Sequence, residues 1–303
     1  MDDFLFELDK LYSAGDLSAV EAFLLEAADA SPDGSTERAA LLNELAGFYR
    51  GVSRYDESED AFNKSLELFE KNDMGATPEY ATVLLNLAGL YRMKGDAEKA
   101  IGLFLNSKSK LEGAGAQDSY SYISVMNNLA LAYQEKGDYE QALDYASKAL
   151  ELLRHGDSFE HEIAASLNNL AAIQLRLGEV EIARGLISES LAIYDGMDEP
   201  DVHHAAALTT NAVISHRNGD LSGALDGFRR ALDLTKRFFG ENVEYAICKR
   251  NIADVCELIG DIPAAILELS DSIRVMEVIL EERHPSLIDA RNMLERLRGA
   301  ETS

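Results

Sequence analysis

Histidine and cysteine are the side chains best suited to metal or nucleophilic chemistry, and this sequence places them badly for either. The histidines are His155, His161, His203, His204, His216 and His284. Metal ligands on one helix need a spacing of three or four residues, and no two of these have it. His203 and His204 are adjacent and project in different directions. Cys248 and Cys256 fall on one predicted helix, eight residues or about 12 Å apart along its axis. A disulfide needs Cα atoms within roughly 7 Å, so these two read as free thiols of a reducing compartment. Cys256 reads as a core residue. The sequence holds no Gly-x-x-x-x-Gly-Lys loop, no Gly-x-Ser-x-Gly elbow and no His-Glu-x-x-His pair. The expectation is a protein that is not an enzyme and needs no cofactor and no metal.

What the sequence does repeat is a turn and its flanks. Gly95-Asp96, Gly137-Asp138, Gly178-Glu179, Gly219-Asp220 and Gly260-Asp261 recur at spacings of 42, 41, 41 and 41 residues. Ser53-Arg54 and Gly15-Asp16 extend the series toward the N-terminus with poorer matches. Seven residues before each turn stand Ala46, Ala88, Ala130, Ala171, Ala212 and Ala253; five after it stand Ser58, Ala100, Ala142, Ala183, Ala224 and Ala265. Small residues on the facing sides of two helices let their backbones approach, and glycine permits the short turn between them. Repetition at this period predicts a solenoid. The terminal units carry Leu8 and Leu294 where the others have alanine, as end units lacking a neighbour should. Four prolines, Pro32, Pro78, Pro200 and Pro285, precede first helices, and Pro263 sits just inside a second helix.

The predicted fold is all-α, a right-handed α-solenoid (superhelix) of about seven antiparallel helix pairs plus a C-terminal capping helix. It is read as one domain, 1–303, with a divergent N-terminal capping unit at 1–34, six units over 35–283, and a C-terminal helix and tail at 284–303. HEAT-like repeats share the period but lack the Ala–Gly–Ala spacing.

Composition narrows the class of partner. With 54 acidic against 28 basic residues the net charge is −26, a surface that repels phosphate backbones and anionic headgroups. Neither nucleic acid nor a membrane is an expected partner. No apolar run reaches the roughly 18–20 residues that span a bilayer, and the N-terminus "MDDFLFELDK" is acidic where a secretory leader would be basic. The expected setting is the cytoplasm.

The stretch "NNLALAYQEKGDYEQALDYASKALEL" resembles a tetratricopeptide repeat (TPR), with Leu129-Ala130, Tyr133, Gly137-Asp138-Tyr139, Ala142 and Ala149 at its signature positions. The 41–42 residue period, the Asn-Asn before Leu-Ala and "RHPSL" at 283–287 are similar to the kinesin light chain type of this repeat. The resemblance covers about 35–300. Asn211 for Leu, and Gln174 and Ser215 for Tyr, depart from the pattern. The resemblance implies that side chains 13, 10, 6, 3 and 2 residues before each turn line a concave, ligand-facing groove. On that rule Arg50, Arg92, Arg176, Arg217 and Arg250 outnumber Glu135, Asp254 and Glu257 there, the reverse of the whole chain's bias. Arginine can grip a carboxylate through two hydrogen bonds; equally, these arginines can pair with neighbouring acids.

Asn43, Asn86, Asn127, Asn128, Asn168, Asn169 and Asn251 form a second row, nine or ten residues before the turn. An amide both donates and accepts, so such a row can read a peptide backbone, as it does in the resembled family, or can brace neighbouring helices. Gly47, Gly51 and Gly89 leave space beside Arg50 and Arg92, either for a bulky ligand side chain beside an acidic one or for tighter curvature. The lysines of chaperone-tail-binding repeats are missing, so that ligand is not expected. The functional expectation is an adaptor or scaffold binding an extended peptide or partner protein, acidic segments included. The alternatives are a regulatory sensor that changes shape around a signal peptide, or a structural protein self-associating through terminal residues such as Phe4, Phe6 and Met293. The oligomeric expectation is a monomer or a weak homo-oligomer through the terminal helices.

Overall fold

A computed structural model describes residues 2–156, 159–197, 201–280 and 282–301. Among them are fifteen helices and no strand. They run α1 (Asp2–Ala14), α2 (Leu17–Ala30), α3 (Thr36–Gly51), α4 (Tyr55–Lys71), α5 (Pro78–Met93), α6 (Ala97–Gly113), α7 (Tyr120–Lys136) and α8 (Tyr139–His155). There follow α9 (Glu160–Leu177), α10 (Val180–Asp195), α11 (Val202–Arg217), α12 (Leu221–Phe239), α13 (Val243–Leu258), α14 (Ile262–Ile279) and α15 (Pro285–Glu301). The chain forms two compact units, 1–152 and 153–303, with the boundary near the end of α8.

The turn explains the repeat. Gly15, Gly95, Gly137, Gly178, Gly219 and Gly260 all have φ between 71° and 86°, the left-handed region that side chains resist. At each of the six inner turns one bond closes the corner. The N–H groups of Arg54, Asp96, Asp138, Glu179, Asp220 and Asp261 donate to the carbonyls of Tyr49, Tyr91, Tyr133, Gln174, Ser215 and Cys256 at 2.8–2.9 Å. The acid after the glycine then caps the next helix: Asp96, Asp138, Asp220 and Asp261 accept from the N–H of Lys99, Gln141, Gly223 and Ala264. Glu179 and Arg54 make no such cap.

Both small-residue columns are buried, from Ala46 to Ala253 and from Ser58 to Ala265, none more than 2% exposed. Between α11 and α12 the approach is so close that a Cβ on Gly227 would stand 2.9 Å from the Ala212 Cβ. A serine column ties first to second helices: Ser65, Ser107, Ser190 and Ser272 donate to the carbonyls of Ala39, Ala81, Ala164 and Ala246 at 2.6–2.7 Å. Buried alanines, Ala149 and Ala231, occupy the same place in the other two pairs. In unit 1 the core runs through Phe62, Leu90, Phe104, Leu111 and Leu129; in unit 2 through Ile187, Ile214, Phe228, Ile252 and Leu269.

At the ends, Leu8 is buried and Leu294 packs against the unit 2 core. Met293 is also buried, so the apolar terminal surface expected from it is absent: α15 turns it inward beside Leu287, Ala290 and Leu297. Phe4 stacks on Phe23, while Phe6 is exposed. Pro78 and Pro285 begin α5 and α15, Pro263 lies in the first turn of α14, Pro32 separates α2 from α3, and Pro200 lies outside the described residues. Cys248 and Cys256 are free and buried on α13.

Ser53 takes the glycine's place at the first inner turn with φ 62°. A side chain in this conformation costs roughly 1–2 kcal/mol, part of which glycine returns through its freer unfolded chain. Ser53→Gly is therefore expected to stabilise the protein by about 1 kcal/mol, read as a higher urea midpoint; an unchanged or lower midpoint would contradict the turn analysis.

Candidate functional site

In unit 1 the first helices lie side by side, α3 beside α5 and α5 beside α7. Their starts are fixed by caps: Ser35, Thr77 and Ser119 accept from the N–H of Arg38, Tyr80 and Tyr122. Along the shared face runs a cavity of about 480 Å³, lined by Arg50, Thr82, Leu85, Asn86, Gly89, Arg92, Met93, Tyr120, Ser121, Ser124 and Asn128. Its wall is two arginines and a set of neutral hydrogen-bonding groups over a small apolar floor.

Arg50 donates through Nη1 to the Asn86 carbonyl at 3.0 Å and has no acidic partner among the described residues. Burial, and secondarily the neighbouring Arg92 charge, push its pKa down from the ordinary arginine value. A Cβ on Gly89 would stand 2.8 Å from Arg50 Nη1, so the space left by this glycine is filled by Arg50 itself. Gly47 and Gly51 face open space. Arg92 donates through Nη1 to Glu135 Oε1 at 2.6 Å, while its Nε is buried without a partner.

The asparagine row divides. Asn86 donates to Asn43 Oδ1 at 3.0 Å, and Asn43 in turn donates to Glu44. Asn128 donates to the Ser124 carbonyl of its own helix. The Asn86–Asn43 bond braces α5 against α3, while Asn128 is engaged within α7. Asn127, Asn169 and Asn251 are half-buried with amides that make no hydrogen bond among the described residues, and Asn168 has a buried, unpartnered Oδ1.

In unit 2, α9 lies beside α11. Arg217 donates to the Leu175 carbonyl at 2.7 Å, and Arg176 is exposed. Arg250 has a buried, unpartnered Nε and lies near Asp254, whose carboxyl is pushed up by burial against the opposing pull of Arg250 and His216. Glu257 is engaged by both terminal nitrogens of Arg296.

The histidines gather in unit 2. His161 bonds Asp201, His203 meets the His161 ring edge-on at 5.1 Å, and His204 stacks on Tyr194 at 5.3 Å. No group of three or more His, Cys, Asp or Glu among the described residues is arranged to hold a metal. The position of His204 is a strut elsewhere: Tyr80 donates to Glu70 at 2.6 Å and Tyr122 to Glu112 at 2.9 Å, each pair ten residues apart. Burial and that carboxylate push both phenols up to about 12. At His204 the carboxylate in the matching place is Asp195, 3.6 Å from Nε2 and beyond hydrogen-bond reach; Tyr194 Oη and both His204 nitrogens are buried with no hydrogen-bond partner among the described residues.

Sequence reasoning missed Tyr120 and Ser121, which reach the cavity from the first turn of α7, and both strut columns. The recurrence of Ser65/Ser107 and of Glu70-Tyr80/Glu112-Tyr122 at the repeat period was the available signal.

Paired helices with polar first-helix faces define a repeat scaffold. Residues 37–106 and 121–196 match the tetratricopeptide repeat family, and the chain is a tetratricopeptide repeat protein. No curated protein matches the sequence. Among solved structures it resembles BtubC (BKLC) from P. vanneervenii, at 22% identity and TM-score 0.61 over 76% of this chain and 94% of that one. Nearly identical TPR-like repeats ascribed to a kinesin light chain of Podosopora anserina align at 18% identity and TM-score 0.53, over 66% and 95%. NprR, in complex with its cognate peptide NprX, aligns at 17% identity and TM-score 0.61, over 97% and 86%. At these identities the likeness is one of fold. No helix among the described residues is long and apolar enough to cross a membrane.

His204 also sets an acid response. Burial first, and Arg230 after it, hold its pKa below the ordinary 6.5 against Asp195 and Asp201. A depressed folded-state histidine contributes stability that is complete above about 6.5 and is lost as the pH falls below it, because the unfolded chain takes the proton first. His204→Phe keeps the stack on Tyr194 and removes the titration. Its melting temperature is expected to fall less than the wild type's between pH 7.5 and 5.5; equal losses would refute the assignment.

Proposed function

We propose that the protein is a non-enzymatic adaptor, acting in the cytoplasm, that takes an extended segment of a partner along its first-helix faces and seats an acidic side chain in the unit 1 cavity. The observation that carries this reading is Arg50: a guanidinium on the cavity wall with no carboxylate among the described residues to neutralise it. An uncompensated charge in a half-buried setting favours a ligand that supplies its counterpart. Asn127, with its amide unused, offers a donor and an acceptor to a passing backbone in the same unit. The free buried cysteines fit a reducing setting.

A sensor that changes shape on taking a signal peptide is the second reading. It draws on NprR, whose peptide-bound and apo forms both share this fold. Scattering profiles with and without a captured peptide separate the two, because an adaptor retains its profile.

Partners captured from lysate by the immobilised wild type are expected to be lost by Arg50→Glu/Arg92→Glu with unchanged helicity. For a purified partner segment, Arg50→Gln alone should weaken binding roughly 10- to 100-fold, the worth of one charge-assisted hydrogen bond. Equal capture by both baits would remove the site from this face.

A further inference from the structure

Two arginines line the unit 1 cavity, and among the described residues only Arg92 has a carboxylate partner. Glu135 holds Arg92 at 2.6 Å through a single oxygen and a single terminal nitrogen, leaving the arginine's planar fork half used. Both partners keep solvent contact, with side chains 44% and 27% exposed. A pair of this kind is worth at most about 1 kcal/mol. Glu135 also stands in the last turn of α7, beside carbonyls at the negative end of the helix dipole, where an acidic side chain is disfavoured. Neither the helix nor the ion pair gives this glutamate a strong structural reason to be acidic.

We propose that Glu135, which holds Arg92 from outside the cavity lining, is a built-in competitor that an incoming ligand carboxylate displaces from Arg92, so that this residue sets the affinity and threshold of the site. The inference rests on the adaptor reading and adds to it a means of regulation. The exchange breaks one ion pair and forms another with no covalent step. Glu135 is free to rotate into solvent, and the ligand carboxylate, seated in the cavity, takes Arg92 over from it beside the unneutralised Arg50. That Arg92 already pairs with a glutamate carboxylate favours a carboxylate as the ligand group. Affinity is held down because every binding event must first undo an internal contact, and protein contacts that raise or remove Glu135's hold would tune it.

The test uses the full chain and glutarate as probe, with neutral glutaramide as control, followed through the arginine Nε–H resonances. Glutarate is expected to move the Arg50 and Arg92 signals, glutaramide to leave them, and Glu135→Gln to bind glutarate about two- to five-fold more tightly than wild type. Glu135→Ala should show the same gain, which protects the result against an effect peculiar to glutamine, and Arg50→Gln should abolish binding in either background. Equal or weaker binding by both Glu135 variants overturns the proposal, as does failure of glutarate to bind any of these proteins. If glutarate fails while partner capture still depends on Arg50 and Arg92, the exchange alone is discarded and the adaptor reading stands. Loss of both discards the cavity.

Discussion

Everything in this chain depends on two helix backbones coming close enough to exclude side chains between them. The small residue before each turn and the small residue after it face into that approach, and the distance between them leaves no room for a longer side chain: at Gly227 even a methyl would meet the Ala212 Cβ. Close approach requires a short connection, a short connection requires a left-handed residue, and that residue is glycine wherever the repeat is regular. The following Asp is not decoration. It satisfies an N–H that the start of the second helix would otherwise leave open, so two consecutive residues end one helix and begin the next.

Packing of this kind fixes distance but not rotation about the helix axes, and two sets of polar struts supply the rest. The serine column joins the two helices of a pair through carbonyls that already serve the helix ladder, using their second lone pair. The Tyr–Glu column joins the end of one pair to the start of the next. Where His204 replaces the tyrosine, it stacks on Tyr194 and stands 3.6 Å from Asp195, and the strut's hydrogen bond is lost, so that junction carries buried polar groups with no hydrogen-bond partner among the described residues.

The columns were legible in the sequence because the backbone imposes them at fixed offsets: Ala46 to Ala253, Ser58 to Ala265 and the turn glycines can be read by counting. The rule that placed the polar face also found Arg50 and Arg92, and the asparagine row found Asn86. What counting could not reach were choices between neighbours 36 to 43 residues apart. Asn86 turns to Asn43, Arg50 to the Asn86 carbonyl, and Arg92 to Glu135, each a contact between adjacent first helices rather than within one. A half-buried amide or guanidinium has several partners within reach of its rotamers, and composition does not rank them. Gly89 shows the limit most clearly: its missing side chain was legible as space, but not that the space belongs to Arg50.

The acidity of the chain sharpens the meaning of that arginine pair. A net charge of −26 repels acidic ligands at long range, yet at physiological salt a field decays over about 8 Å, so remote carboxylates weigh little on a group already seated. Two unit charges 4 Å apart near a protein surface attract by about 4 kcal/mol before desolvation, and that attraction is local. An acidic surface with a small basic cavity therefore admits a carboxylate only where it can make direct contact, and turns the same group away elsewhere. Selectivity then lies in the few ångströms around Arg50 and Arg92, and in whichever carboxylate stands there.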